Sequence, residues 1–188
     1  PFAALSSESA RRLGDESGWT TVLETSQQVL AARSVAGELR TSAGESRAIL
    51  GRVLAATGNA VSAPGGMPAM RVLPRFETVA QRTSDDLEQL AGAADPAEVT
   101  RRISENTALL SQFLAGLAGL DKTAGVPAID DEAATRLGEV RDAFAAYEQQ
   151  LQGTLEKAGA LATAQRAAAD LAAAADKLSR SLETQTAS

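Results

Sequence analysis

The chain has 188 residues, a formal net charge of −6 at pH 7 and a hydrophobic content of 44%, enough for one ordinary domain or two small ones. It contains no histidine and no cysteine, which excludes the usual zinc sites, disulfides, cysteine nucleophiles and histidine acid–base catalysis. The acidic balance argues against nucleic acid or an anionic membrane as a partner. Aromatic residues make up only 3% of the chain and alanine is its most frequent residue. The composition therefore predicts an all-α protein.

Clusters of glycine, proline and asparagine divide the sequence into four predicted helices. The clusters lie at 57–68, 92–96 and 119–127, and the helices are predicted at 7–57, 70–91, 97–120 and 131–183. The order is long, short, short, long, with about 50 residues in each long helix. Asp95 is the predicted N-cap of the third helix, with Pro96 at its first position and Glu98 placed to close a capping box.

The first long helix repeats apolar or small residues every seven positions, which is typical of a left-handed helix-bundle seam. Its two columns are Val22, Val29, Ala36, Ala43, Leu50 and Thr25, Ala32, Leu39, Ser46, Val53. The last long helix carries a matching stripe of Leu137, Val140, Phe144, Tyr147, Leu151, Leu155 and Ala158. We therefore expect the two long helices to pack against each other.

These elements predict an up-down four-helix bundle, because helices that are joined by short loops are usually antiparallel neighbours. A helix of about 50 residues is about 75 Å long, whereas one of 24 residues is about 36 Å long. The two short helices therefore cover only part of each long one. We expect one domain with a compact module at 31–157 and an antiparallel stalk at 7–30 and 158–183. The stalk keeps an apolar seam, so we expect other helices or a second copy of the chain to pack there.

Three stretches of the predicted helices form a distinctive set. The first is Trp19 with Val22 and Leu23, the second is ISENTALL at 103–110 followed by FLAG at 113–116, and the third is AATRL at 133–137 with Val140 and Phe144. Together with the long, short, short, long order, they resemble the periplasmic sensor region of the PilJ family, the type IV pili methyl-accepting chemotaxis transducers. The resemblance extends from about Trp19 to Leu182. It implies a helical bimodular-like sensor of six helices, in which two short membrane-proximal helices precede the part present here.

The resemblance also implies a location and a set of partners. The chain is expected to be the periplasmic domain of an inner-membrane protein, with flanking transmembrane helices and a cytoplasmic signalling domain in the parent protein. It implies a homodimer in the full receptor, with a pilin or a small molecule as the ligand. The chain itself has no run of about 18 apolar residues, and because it begins with Pro1 rather than Met we expect it to be a piece of a longer protein.

One feature departs from the family pattern, a column of glycines at intervals of seven on the first helix. They are Gly37, Gly44, Gly51 and Gly58. Each glycine inside a helix costs about 1 kcal/mol relative to alanine. Two interpretations are open: a smooth face that lets the long helices slide or rotate, or close packing beside Ala36 and Ala43, with a biased genomic composition as a further source.

Four residues are candidates for ligand binding, and each has a structural alternative. Asn106 lies on the apolar stripe of the third helix, where it contacts a ligand or fixes the register. Tyr147 and Ser46 are expected in facing positions of the compact module, where the tyrosine ring packs and its hydroxyl finds a partner. Arg102, with its neighbour Arg101, either receives a carboxylate or belongs to a solvated face.

Several other residues are assigned structural roles. Trp19 is expected to anchor the missing module, and Gln165 to face the missing helices or to lie at a boundary. The acidic group Asp130, Asp131 and Glu132 is expected to cap the fourth helix rather than to hold Ca²⁺. No constellation predicts catalysis, a cofactor or a metal site.

The leading functional hypothesis is an extracytoplasmic sensor domain of a chemotaxis-type transducer that controls type IV pili and twitching motility. The resemblance implies signalling by relative movement of the two long helices. The alternative is a cytoplasmic structural protein, such as a phasin-like granule coat, whose amphipathic helices lie on a hydrophobic surface.

Overall fold

The structure is a computed structural model that describes residues 2–62, 73–123 and 131–186, and the regular secondary structure of these residues is entirely helical. Helix α1 spans Phe2–Val61, α2 spans Leu73–Gln89, α3 spans Pro96–Thr123 and α4 spans Asp131–Thr186. A single 3₁₀ turn, Leu90–Gly92, follows α2. The predicted all-α class is confirmed. The helix ends differ from the prediction, because α1 and α4 have 60 and 56 residues rather than about 50.

The predicted helix ends are correct where side chains or backbone geometry stop the helix. The Asp95 carboxylate accepts hydrogen bonds from the backbone N–H groups of Ala97 and Glu98 at 3.1 and 3.2 Å, so Asp95 is the N-cap that the sequence predicts. Glu98 does not close a capping box, because its carboxylate accepts hydrogen bonds from Arg101 instead. Asp95 lies in the connection between α2 and α3. At the α2 end of this connection, Ala93 is extended and its N–H donates to the carbonyl of Leu90.

Helix α1 continues through Gly58, where a stop was predicted. The N–H of Ser62 donates to the Gly58 carbonyl at 3.0 Å, so the helical hydrogen-bond pattern extends to the end of this segment. A single glycine lowers helix propensity without removing a backbone donor, and the flanking residues maintain the helix. The predicted first residues of α2, 70–72, lie outside the described residues.

The chain divides into two units. The central unit is Ala36–Gly159, and the terminal unit is Pro1–Val35 with Ala160–Ser188. Helices α2 and α3 belong to the central unit, and the two long helices contribute to both. The predicted domain scheme of 31–157 with segments 7–30 and 158–183 remains a prediction.

The central unit buries large side chains from all four helices. Its largest buried side chains are Tyr147, Phe76, Leu39, Leu50, Leu87, Leu90, Ile103 and Leu110. Burial of a leucine or phenylalanine side chain contributes about 1.5–3 kcal/mol, so these residues are the main source of stability in this unit. The predicted seams of the long helices are confirmed at Leu39, Leu50 and Tyr147. Other predicted seam members are corrected: Val29 is exposed, and half-buried are Ala32, Ala36, Leu137 and Leu155, the last with Thr154 buried beside it.

Within the central unit, α1 and α4 are antiparallel. Arg136 donates to the carbonyl of Asn59 at 3.1 Å, and Lys157 donates to the hydroxyl of Ser42 at 3.4 Å. Residue numbers therefore fall along α1 as they rise along α4.

The terminal unit buries little in the part of the chain that the structure describes. Leu161 and Ala162 are its only buried residues there. Leu23 and Leu30 on α1 are 61% and 62% exposed. Among the residues whose burial is described, this unit therefore has few core positions, and the alanine-rich sequence of α4 favours its helix through intrinsic propensity.

Candidate functional site

A charged groove of about 430 Å³ lies between α2 and α3 in the central unit. Its lining side chains are Arg82, Asp85, Asp86, Arg101, Arg102, Glu105 and Asn106. Arg102 donates from Nε and from one terminal nitrogen to the same Oδ1 of Asp86, at 3.1 and 2.7 Å. Two guanidinium nitrogens on one carboxylate oxygen make a charge-assisted contact that ties α3 to α2.

The two neighbouring arginines of α3 have different roles. Arg101 pairs with Glu98 and Glu105 on its own helix, at 2.6 and 2.5 Å, so it belongs to an exposed ladder along α3. The hydrogen bond from Arg101 lowers the pKa of Glu98 below its ordinary value. In Arg102 the hydrogen bonds to Asp86 raise the pKa further above its usual range. Arg102 is therefore a permanent cation between the helices, and a ligand carboxylate would have to displace Asp86.

Asn106 is half-buried at the edge of this groove, not in the core as the sequence predicted. Its neighbour Thr107 occupies the buried position instead, in line with Ile103 and Leu110. A helix advances 100° per residue, so a shift of one residue is enough to exchange a core position for a boundary position. Asn106 and Arg102 thus share one site, but Asn106 is not a core polar residue.

Tyr147 is fully buried, and its hydroxyl lies 3.2 Å from the hydroxyl of Thr107 on α3. Its ring lies against Phe144, with centroids 5.8 Å apart and the ring planes tilted by 39°. Burial raises the pKa of Tyr147 to about 12, because the interior disfavours the phenolate. The side chain is thus a core residue with a satisfied hydroxyl, which is the structural alternative that the sequence left open.

Ser46 belongs to a different polar contact, between α1 and α4. Its hydroxyl lies 2.9 Å from that of Thr154, and the hydroxyl of Ser42 lies 2.8 Å from the same Thr154 oxygen. All three side chains are buried. Ser46 and Tyr147 therefore have separate hydroxyl partners, on α4 and α3 respectively.

Three buried hydroxyl residues of these contacts were not predicted from the sequence: Ser42, Thr107 and Thr154. The available signal was a small hydroxyl residue next to each predicted seam position, but small polar residues are equally common on exposed helix faces. Only the neighbouring helix shows which of them is enclosed.

A second polar groove, of about 660 Å³, lies at the first turns of α4. It is lined by Asn59, Glu132, Thr135, Arg136 and Glu139. Glu132 forms an ion pair with Arg136, one turn later, so it stabilises α4 through its neighbour as well as by its place in the first turn. Asp130 and the side chain of Asp131 lie outside the described residues, and their predicted capping role remains a prediction.

The glycine column of α1 faces open space. A Cβ atom added at Gly37, Gly44, Gly51 or Gly58 would meet no atom of the chain within 4 Å. The interpretation that these glycines allow close packing beside Ala36 and Ala43 is therefore wrong for contacts within this chain. The smooth-face interpretation remains a prediction.

The remaining assigned residues lie in the terminal unit. Gln165 is half-buried, as a boundary position would be. The side chain of Trp19 lies outside the described residues.

Gln28, on α1 in the terminal unit, is not exposed. Its Oε1 atom is buried with no hydrogen-bond partner in the described part of the chain, which is costly for an amide oxygen.

No protein-family model matches the chain, and no curated protein matches it. In the described part of the chain, no helix is long and apolar enough to cross a membrane, and no three acidic side chains gather into a group that could hold a metal ion.

Proposed function

We propose that this chain is the extracytoplasmic sensor domain of a methyl-accepting chemotaxis-type transducer that controls type IV pili and twitching motility. The observation that carries the proposal is the order of the helices: α1 and α4 have 60 and 56 residues, and α2 and α3 have 17 and 28. This long, short, short, long order accompanies the three stretches that resemble the PilJ family. The proposed location is the periplasmic face of an inner membrane, and the proposed mechanism is non-enzymatic.

The proposed architecture is an up-down four-helix bundle whose two long helices extend as an antiparallel stalk. Support for the bundle comes from buried side chains on all four helices of the central unit. Support for a stalk with missing partner helices comes from Leu23 and Leu30, which expose apolar surface that a stable assembly would bury.

The proposed signal is a relative movement of α1 and α4, with a pilin or a small molecule as the stimulus and a homodimer as the active receptor. The movement is supported by the small buried side chains of the two helices in the central unit, such as Ala43 on α1 and Ala158 on α4. The candidate entry point for an anionic group is the groove beside Arg102 and Asn106. Binding there requires an exchange of the Asp86 carboxylate for that of the ligand.

A disulfide between α1 and α4 in the full-length parent protein tests this mechanism. Ser42→Cys with Thr154→Cys is a suitable pair, because the two hydroxyl oxygens lie 2.8 Å apart and the native chain has no cysteine. Oxidation is expected to abolish the twitching response, and a reductant is expected to restore it. Each single cysteine variant, treated with the same oxidant, is the matched control. Unaltered twitching in the fully crosslinked receptor would contradict the proposal.

The exposed leucines of the terminal unit also suit the second candidate, a phasin-like coat whose helices lie on a hydrophobic surface. The two candidates differ in what Leu23 and Leu30 contact. Binding of the isolated chain to hydrophobic polyester particles, lost in the Leu23→Gln, Leu30→Gln variant, favours the coat. Absence of binding, together with apolar segments of about 20 residues on both sides of the chain in the parent gene, favours the sensor.

A further inference from the structure

The contact between α1 and α4 in the central unit contains a buried cluster of three hydroxyl groups. The oxygen of Thr154 lies 2.8 Å from that of Ser42 and 2.9 Å from that of Ser46. The two serines are one helical turn apart on α1, so Thr154 fits between them from the opposite helix. The three side chains are at most 2% exposed.

The donors and acceptors of this cluster match. A hydroxyl supplies one proton and two lone pairs. The two serines can both donate to the Thr154 oxygen, and Thr154 can donate its own proton to the carbonyl of Ser42 or of Gln150, at 3.2 and 3.1 Å. The lone pairs of Ser42 face the side-chain nitrogens of Gln150 and Lys157, each at 3.4 Å. All three protons therefore have an acceptor in this one arrangement.

The buried residues next to the cluster on α1 and α4 are apolar. On α1 the adjacent buried positions are Leu39, Ala43 and Leu50, and on α4 they are Leu151 and Ala158. Apolar contact is non-directional and is proportional to the area buried. A seam of alanine and leucine therefore favours contact without strongly specifying which axial register the helices adopt.

A displacement of α4 by one turn, about 5.4 Å, would break the match in either direction. Thr154 would then lie between Ser46 and Leu50, or beside Ser42 with Ser46 left behind. One serine loses its hydrogen bond to the opposite helix in each case, and the bond between Gln150 and Glu45, 2.8 Å in the structure, breaks as well. The shifted registers therefore have fewer hydrogen bonds between α1 and α4 than the observed one.

We propose that Ser42, Ser46 and Thr154 form a register lock, which holds α1 and α4 at one axial position while the apolar seam supplies the affinity between them. The lock is independent of the proposed sensor function, because it follows from the contacts of the central unit alone. A buried polar residue that specifies register at the cost of some stability is an established device in helical assemblies.

Distances between spin labels in the full chain test the lock. Ala55→Cys on α1 and Gln152→Cys on α4 are suitable label sites, because both positions are exposed and the chain has no other cysteine. They lie well apart along the helix axis, so a one-turn shift changes their separation by about 4–5 Å. The labelled parent chain is expected to show one narrow distance distribution.

The variant that removes the lock is Ser42→Ala, Ser46→Ala, Thr154→Val, which replaces all three hydroxyls by apolar groups of similar shape. We expect it to stay helical by circular dichroism and to show a second label separation in addition to the first. The two separations should differ by about 4–5 Å, which corresponds to a shift of one turn. Thr154→Val alone carries the same test if the triple variant does not fold, because the two serines can then donate to carbonyls of their own helix.

Two controls separate the lock from a general loss of buried hydroxyls. Thr57→Val removes a buried hydroxyl that donates only to Val53 of its own helix, at 2.7 Å, and should leave one distance. Thr154→Ser keeps the hydroxyl and should also leave one distance. A single unchanged distance in the lock-free variants, or a second distance in either control or in the parent chain, overturns the proposal.

Discussion

The same two helices, α1 and α4, behave differently in the two units of the chain. In the central unit they bury large residues such as Leu39 and Tyr147, whereas in the terminal unit α1 exposes Leu23 and Leu30. Both regions are helical. The difference shows that helix formation and core formation are separate properties here: among the residues whose burial is described, the terminal unit has few core positions, and tertiary burial adds stability chiefly in the central unit.

A pair of identical substitutions on α1 gives the largest expected contrast. Leu39→Ala in the central unit removes a fully buried side chain and should lower the free energy of unfolding by about 2–5 kcal/mol. Leu30→Ala in the terminal unit removes an exposed one and should change it by less than about 0.5 kcal/mol. Urea denaturation followed by circular dichroism measures both. Equal effects of the two substitutions would contradict the conclusion that tertiary burial stabilises the central unit more than the terminal unit.

The ionisation of Tyr147 tests how well the central core is closed. Burial raises its pKa to about 12 from the ordinary tyrosine value of about 10, so the folded state keeps the proton at a pH where the unfolded state has lost it. Stability that is present below pH 10 should therefore decline between pH 10 and 12, by about 1.4 kcal/mol per pH unit. Tyr147→Phe should remove this contribution to the pH dependence.

This titration can be followed directly, because the chain has only one tyrosine. Absorbance at the phenolate band should show a midpoint near 12 in the folded chain. A midpoint close to that of free tyrosine would mean that the core of the central unit opens to water.

Alanine substitutions in the glycine column test the outer face of the central unit. Gly44→Ala and Gly51→Ala add methyl groups that meet no atom of the chain within 4 Å, so each should stabilise the chain by about 1 kcal/mol through helix propensity. Thermal unfolding of the single and double variants measures the gain. A loss of stability would show that this face is packed against something in solution, and a dilution series would reveal whether a second copy is responsible.

Loss of the α3 N-cap should change the stability by an amount similar to, or smaller than, that of the glycine substitutions. Asp95→Ala removes the acceptor of two backbone N–H groups and should cost about 1 kcal/mol. Asp95→Asn, which keeps a side-chain oxygen acceptor, should retain most of that stability in the same chemical denaturation assay. Equal losses in both variants would assign the effect to charge instead of capping.

The smallest expected difference between the two units is in the stability that is lost when an ion pair is removed. Arg102 is 40% exposed and its partner Asp86 is 14% exposed, whereas Arg180 and Asp176 in the terminal unit are 75% and 58% exposed. Arg102→Met should cost up to about 1 kcal/mol, and Arg180→Met should have no measurable effect in urea denaturation. A larger cost for Arg180→Met would indicate that the terminal unit has tertiary contacts of its own.

The sequence was sufficient to predict the fold class and several local features. The all-α class, the cap at Asp95 and the buried stripe of α4 follow from propensity and periodicity, which depend on neighbours within a few turns. The helix end predicted near Gly58 was wrong. A single glycine weakens a helix only slightly, and the residues that follow Gly58 continue α1.

The candidate site was less predictable. Asn106 and Arg102 were assigned to the right element, but the sequence could not show that Asp86 engages Arg102 or that Thr107 replaces Asn106 in the core. Both facts depend on how α3 is rotated against its neighbours. A rotation of one residue changes the faces of a helix while leaving its hydrophobic pattern almost unchanged.

The sequence by itself determined that this chain forms four helices, that Asp95 caps the third of them, and that the long ones carry an apolar seam. The tertiary structure decided which polar residues of that seam are paired. Ser46 finds Thr154 and Tyr147 finds Thr107 across helices that are distant in the chain. Helix propensity and caps act between residues a few positions apart. A buried hydroxyl is satisfied only by the side chain that the opposite helix brings within about 3 Å.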